Sequence, residues 1–308
     1  MSQQATTALP ATPAPLSLNI ARGRDIRRKA LQWFMFMLLR GAILVVAAAL
    51  VTIIGFLVMN GISAISWEFL TQPPKNYMTE GGVWPCIVGT LLLALGAMAV
   101  ALPLGVASAI YLHEYARPGT MMRIIRLGVN NLAGVPSVVF GLFGLGLFVT
   151  AMNLGVSLLS GWLTLGVLCL PVVIGTAEEA LRSVPSTYRE ASLALGGTKW
   201  QTIWRVVLPS ALPGILTGSI LGVGRAAGET AAIMFTAAVF YTPKMPNSIF
   251  SDVMALPYHI YVLATAGTEI ELTRPIQYGT ALVLIALVLG MNLSAIVLRA
   301  WLQKRHAH

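Results

Sequence analysis

The charged residues of this chain are so few that the gaps between them can be read as lengths. Charge-free stretches run over 41–67, 81–112, 127–177, 206–224, 230–243 and 275–298. A bilayer-crossing helix takes about 20 apolar residues, and in hydrocarbon the backbone must satisfy its own polar groups. Gaps of this length commit the chain to a helical membrane protein. Composition agrees, with 56% of 308 residues hydrophobic and 10% charged, where a soluble domain carries about 25% charged. The gap at 127–177 is too long for one helix, and Asn153-Leu154-Gly155-Val156-Ser157 with Ser160-Gly161 marks a turn inside it. The pieces 206–224 and 230–243 read as one span interrupted by Arg225 and Glu229. The expected fold class is an all-α membrane protein with six transmembrane helices. They lie near 36–60, 84–112, 122–150, 157–181, 210–240 and 276–300. A disordered cytoplasmic tail over 1–30, rich at its start in Ala, Pro, Thr and Ser, precedes a membrane domain over 31–308.

Basic residues orient these spans. With both termini inside, 16 of the 20 Lys and Arg fall on the cytoplasmic side; only Lys75, Lys244 and Arg274 face outward, and Arg225 is within a span. The net charge of +9 then reflects topology and anionic headgroups. No basic cluster is interleaved with exposed aromatics, so nucleic acid is not an expected partner. The cluster from Arg22 to Lys29 before an apolar run has the form of a secretion signal. The run is too long, however, and lacks a small-residue cleavage site, so it reads as a retained first helix. Cys86 and Cys169 fall in different spans and read as packing residues. No metal site, cofactor or catalytic residue is expected.

One polar island stands out, the loop over 183–209. Between two spans it must lie in water at the membrane face. Ser186 is placed to cap a helix over 187–195, and Gly196-Gly197 to end it, since glycine takes the left-handed conformation at low cost. Thr198-Lys199-Trp200-Gln201 has the form of a capping box opening a second helix that stops at Pro209. A basic loop lying on headgroups is the plain alternative. Yet Glu190-Ala191-Ser192, three residues, Gly196, nine residues and Val206-Val207-Leu208-Pro209 resemble the EAA loop of ABC importer permeases. In that family the loop docks in a cleft of the ATPase subunit. The resemblance implies that Glu190, Ala191 and Gly196 are coupling residues.

Arg225 and Glu229 are spaced i, i+4, which places them on one helix face. A central intramembrane Arg costs at least about 2.5–3.5 kcal/mol, so it must face protein or water. From the residues alone, a structural ion pair and an oxyanion site both stay open, the latter using the planar guanidinium fork. Gly222, Gly224 and Gly228 allow close approach of a helix or ligand. The wording Arg225-Ala-Ala-Gly-Glu229-Thr-Ala231 looks like the permeases of the bacterial phosphate-specific importer, within the MetI-like binding-protein-dependent transport permeases. Gly81-Gly82-Val83, Ala133-Gly-Val-Pro-Ser137 and Leu256-Pro-Tyr-His-Ile-Tyr261 agree, and the similarity covers about 35–300. It resembles the A more than the C subunit. One departure is Ala231-Ala232-Ile233-Met234, where the family often has Ala-Pro-Leu-Leu; a different bend is expected there.

The resemblance implies a type I permease fold with a cytoplasmic coupling helix, in a bacterial inner membrane. Its partners would be a homologous permease, two ATP-binding subunits and a periplasmic or extracellular phosphate-binding protein. Arg225 and Glu229 become phosphate-path residues. Ser137 and Asn131, read as sharing a helix with Pro136, join them as candidates. The sequence contains no Gly-x-x-x-x-Gly-Lys-Ser/Thr, so ATP hydrolysis falls to a partner. His113-Glu114 and Glu178-Glu179 are expected to pair with Arg117, Arg123, Arg126 or Arg182. The outer loop 242–275, with Asp252, His259, Glu269 and Glu271, is long enough to touch a binding protein, with a plain linker as the alternative. An ion-coupled transporter would need more deep carboxylates than Glu229. A scaffold would not need a buried Arg in a glycine-rich helix. Within the importer class the alternatives are the partner permease or a carrier of molybdate or sulfate.

Overall fold

The computed structural model describes residues 18–266 and 270–306. The chain divides into two units, 1–56 and 57–308. The described part of the first is helix α1 (Leu18–Gly61), which runs on past the boundary. It starts inside the tail expected to be disordered, of which residues 1–17 lie outside the described ones. Leu31, Phe34, Val45 and Phe56 are all exposed along it. A helix apolar all round is one that lipid or protein covers.

The second unit opens with a short helix α2 (Trp67–Thr71) and a two-residue antiparallel ribbon, β1 (Pro74–Lys75) with β2 (Glu80–Gly81). Helix α3 (Trp84–Ile110) continues into a π-helical turn, Tyr111–Tyr115. Then come α4 (Thr120–Leu132), α5 (Ser137–Gly144) with a π-helical extension Leu145–Ala151, and α6 (Leu158–Arg182). The polar island supplies α7 (Ser186–Ala194) and α8 (Lys199–Thr202), joined through the π-helical Ile203–Val207 to α9 (Leu208–Gly228). Helices α10 (Leu256–Thr265) and α11 (Ile270–His306) complete the chain.

Among the described residues five helices are long and apolar enough to cross a membrane: Arg28–Ala64, Trp84–Tyr115, Leu158–Arg182, Lys199–Gly228 and Thr273–Trp301. The third expected span, 122–150, is not one helix. Its halves, Thr120–Leu132 and Ser137–Ala151, meet at 101°. Pro136 therefore sits at a break rather than inside a helix. It precedes α5 with φ −58° and ψ 141°, and its ring disfavours the helical conformation for Val135.

The fifth span also departs from expectation. Helix α9 ends at Gly228, and 229–240 is not a continuous helix despite its apolar run. Its backbone groups find partners elsewhere. Ser157 N donates to Thr236 O at 3.0 Å, Val253 N to Ala237 O at 3.1 Å, and Val239 N to Val253 O at 3.0 Å. Such pairing overrides local helix preference, and irregular backbone between apolar spans is tolerated only when protein or a watery cavity surrounds it. The loop is pinned to α3, where Leu256 N donates to buried Thr90 Oγ1 at 2.9 Å.

The core joins α3, α6 and α9 to this loop through Leu93, Ala97, Leu165, Val173, Ala226 and Ile233. Helices α6 and α9 approach along glycines. A Cβ at Gly214 would lie 2.6 Å from Ala180 Cβ and one at Gly218 would overlap Thr176 Oγ1, both on α6, while one at Gly222 would lie 2.9 Å from Met98 Sδ on α3. Backbones this close associate through van der Waals packing, the main attraction available between helices in lipid.

Candidate functional site

The polar island folds as a knob of two helices on a sharp turn. Gly196 has φ +81°, the left-handed value that makes glycine the fitting residue. The capping box is complete: Gln201 N donates to Thr198 Oγ1 at 3.3 Å and Thr198 N to Gln201 Oε1 at 2.9 Å. Two local expectations are corrected. Ser186 does not cap α7; Pro185 holds that position and no side-chain cap bond forms. Pro209 does not end the second helix. The wide turn at Ile203–Val207 precedes it, and one helical path runs from Lys199 to Gly228. A π-turn leaves room for the ring that would otherwise clash with the carbonyl four residues back.

The knob is anchored to the end of the α3 span. Arg189 Nε and Nη2 donate to Glu114 Oε1 at 3.1 and 2.8 Å, Nη2 also to Leu181 O at 2.9 Å, and Nη1 to Val184 O at 2.8 Å. Lys199 Nζ donates to Glu114 O and lies 4.9 Å over the Tyr115 ring. Sequence reasoning assigned Glu114 to other arginines, and no spacing rule links residues 75 apart. Glu178 does pair with Arg126 and with Arg182. Glu190, Ala191 and Gly196 are exposed. A groove of about 450 Å³ runs between α7 and the next helix, lined by Tyr188, Ala191, Ser192, Leu195, Gln201 and Arg205.

Arg225 and Glu229 lie at the break in the fifth span. Arg225 is in the last turn of α9, where the helix dipole favours a cation. Glu229 follows the helix with extended backbone, φ −73° and ψ 130°. Arg225 Nε and Glu229 Oε1 are 3.8 Å apart, an ion pair too long for a hydrogen bond. Among the described residues no hydrogen bond involves the Arg225 guanidinium. Leu221, one turn earlier on the same face, is 59% exposed.

The level of the pair follows from its neighbour Gly224, whose Cβ position lies 3.4 Å from Asn292 Oδ1 on α11. Asn292 is about 28 Å beyond Thr273 and about 14 Å before Trp301 along the apolar span. The break is thus level with the interior of α11.

The structure separates the other two path candidates. Ser137 opens α5, which packs through Gly141 on Ala231 and Phe235, just after Glu229. Asn131 is exposed at the end of α4, across the 101° bend. His259 is 2% exposed on α10 and so is closed to an external partner. Glu269 lies outside the described residues.

Residues 101–308 match the family described as binding-protein-dependent transport system inner membrane component. The probable ABC transporter permease protein YqgI of Bacillus subtilis is 35% identical over 263 residues, 82% of this chain and 89% of its own length. The phosphate transport system permease protein PstA of Mycobacterium leprae is 35% identical over 284 residues, 91% and 92% of the two chains. PstA 1 of Mycobacterium tuberculosis is 34% identical over 299 residues, 96% and 97%. Among solved structures, an alginate ABC transporter chain superposes with a TM-score of 0.60 at 17% identity, covering 88% of this chain and 94% of that one. A chain of the inward-facing MetNI methionine ABC transporter gives 0.55 at 20% identity, covering 72% and 94%. The structural likenesses speak to fold, the sequence relatives to descent. The chain belongs to the family of binding-protein-dependent transport system inner membrane components, as a multi-pass ABC importer permease.

Proposed function

We propose that this chain is one of two permease halves of an ATP-driven importer of inorganic phosphate. The observation that carries the reading is Arg225, a cation at an interior helix break whose guanidinium donors are not taken up by Glu229. It shares a face with exposed Leu221, and an Arg on a lipid-facing strip is costly. A second permease and a watery path between the two complete that face. The named phosphate permeases among its relatives support the substrate. The complex sits in a bacterial inner membrane with both termini of this chain cytoplasmic. Two ATP-binding partners hydrolyse ATP, and an external phosphate-binding protein delivers the substrate. Closure of the ATPase pair pulls on the knob through Glu190, Ala191 and Gly196, and the spans rock. Phosphate passes Arg225 with Ser137 and Asn131 along the route. Glu229 holds Arg225 and accepts a hydrogen bond from protonated phosphate, a proton sulfate lacks at neutral pH.

Arg225→Gln keeps most of the volume and removes the charge. Phosphate uptake by the assembled complex is expected to fall at least 100-fold. The double variant Arg225→Gln with Glu229→Gln is expected to stay inactive. Recovery of wild-type uptake in the double variant would make the pair structural and overturn the site. Uptake of molybdate or sulfate in place of phosphate by the wild-type complex would overturn the substrate.

A further inference from the structure

Helix α11 carries a polar side chain that the transport reading has not used. Within 276–298, Thr280 and Ser294 donate to their own helix, at Ile276 O and Gly290 O. Asn292 makes no such bond. Its amide points end-on at α9, with Oδ1 3.4 Å and Nδ2 3.5 Å from the place a Cβ would take on Gly224. Gly224 immediately precedes Arg225. Oδ1 is buried and has no hydrogen-bond partner among the described residues. A buried amide oxygen left unpaired costs about 1–3 kcal/mol, so an Asn held in an apolar seam at this point calls for a partner that arrives during function.

We infer that Asn292 is a further residue of the substrate path, meeting with its amide the oxyanion that Arg225 attracts. The inference rests on the reading of Arg225 as an oxyanion site. A carboxamide offers two N–H donors and one carbonyl acceptor. Protonated phosphate presents the matching set, bare oxygens to accept and a hydroxyl to donate. A fully deprotonated tetrahedral anion leaves Oδ1 unpaired, and buried groups left unpaired discriminate strongly between analogues. Asn292 thus adds to selectivity as well as to binding. The bare Cα of Gly224 is what lets the amide reach the seam, because a side chain there would press on it.

The test compares Asn292→Gln, Asn292→Met and Asn292→Leu in the complete complex with its ATPase and binding-protein partners. Phosphate uptake is measured per assembled complex. Gln and Met have nearly the same length and volume, so they disturb packing alike and differ in the amide. Leu removes the amide while keeping the branching and the heavy-atom count, though it is bulkier than Asn. The inference expects Leu and Met to lower uptake about 10-fold, with subunit assembly retained, and Gln to keep at least threefold more than Met. Equal impairment by Gln and Met, or wild-type uptake in the Leu variant, would make Asn292 a packing residue and overturn the inference. So would a loss confined to the amount of assembled complex. Failure of the underlying reading looks different: Arg225→Gln then transports phosphate normally, whatever Asn292 does.

Discussion

Two arginines in this chain stand in opposite conditions. Arg189 makes four hydrogen bonds at 2.8–3.1 Å, to Glu114 and to two backbone carbonyls. Arg225 has one carboxylate at 3.8 Å. Their side chains are similarly shielded, 20% and 31% exposed, so burial does not explain the difference. A guanidinium whose donors are saturated holds structure. Under the proposed function, one whose donors are idle at an interior helix break is kept for a ligand. By this measure the knob is bolted to α3, while the break holds the proposed site.

The comparison breaks if stability follows the wrong arginine. Arg189→Gln leaves Glu114, 9% exposed, facing carbonyls without its cation. The expected cost is on the order of 3 kcal/mol, seen as protease cleavage within 186–208 and loss of copurifying ATPase. Arg225→Gln is expected to leave melting and assembly within error of wild type while uptake collapses. A reversal of the two patterns would undo the argument.

A third buried polar side chain sharpens it. His259 on α10 has an Nδ1 with no hydrogen-bond partner among the described residues, and burial pushes its pKa down to about 4. The unfolded chain takes up this proton near pH 6.5. Stability is therefore full above about pH 6.5 and falls as pH drops towards 4. The loss is on the order of 3 kcal/mol. Melting of the purified complex between pH 7 and 4 should show the decline, and His259→Leu should flatten it. An unchanged slope in that variant would place the titration elsewhere.

The smallest effect tests the knob's turn. Among the described residues no atom beyond its chain neighbours lies within 4 Å of a Cβ on Gly196, so its φ of +81° is what resists a side chain. Gly196→Ala should cost about 1–2 kcal/mol and Gly196→Asn less, measured as copurifying ATPase at graded temperature. Equal losses would point to a direct contact with the partner instead of strain.

What was legible in the sequence was what is local. The capping box at Thr198 and the turn at Gly196 depend on neighbours three or four residues away, and both formed as expected. The charge-free gaps gave the helical class for the same reason. The ends of α9 and the break at Pro136 were not legible. Residues 229–240 carry no charge after Glu229 and read as helix, yet their carbonyls and amides pair with Ser157 and Val253, contacts that periodicity cannot encode. The Arg225–Glu229 pair was found from its charge, while its place at a helix terminus came from those distant bonds. Asn292 had a usable signal, a carboxamide deep in an apolar span. Its seat on Gly224 had none.

The unbroken run from Lys199 to Gly228 also has a mechanical consequence. Thirty residues of helix make a rod about 45 Å long, with the knob, the proposed ATPase contact, at one end and Arg225 close to the other. A tilt of about 5° at the knob swings the far end by about 4 Å, more than a hydrogen bond's length. The compliant points are the π-turn at Ile203–Val207, near the knob, and Pro213, about midway along the rod. In the proposed mechanism, a displacement of the knob is carried to the arginine only as far as this shaft stays stiff at Pro213.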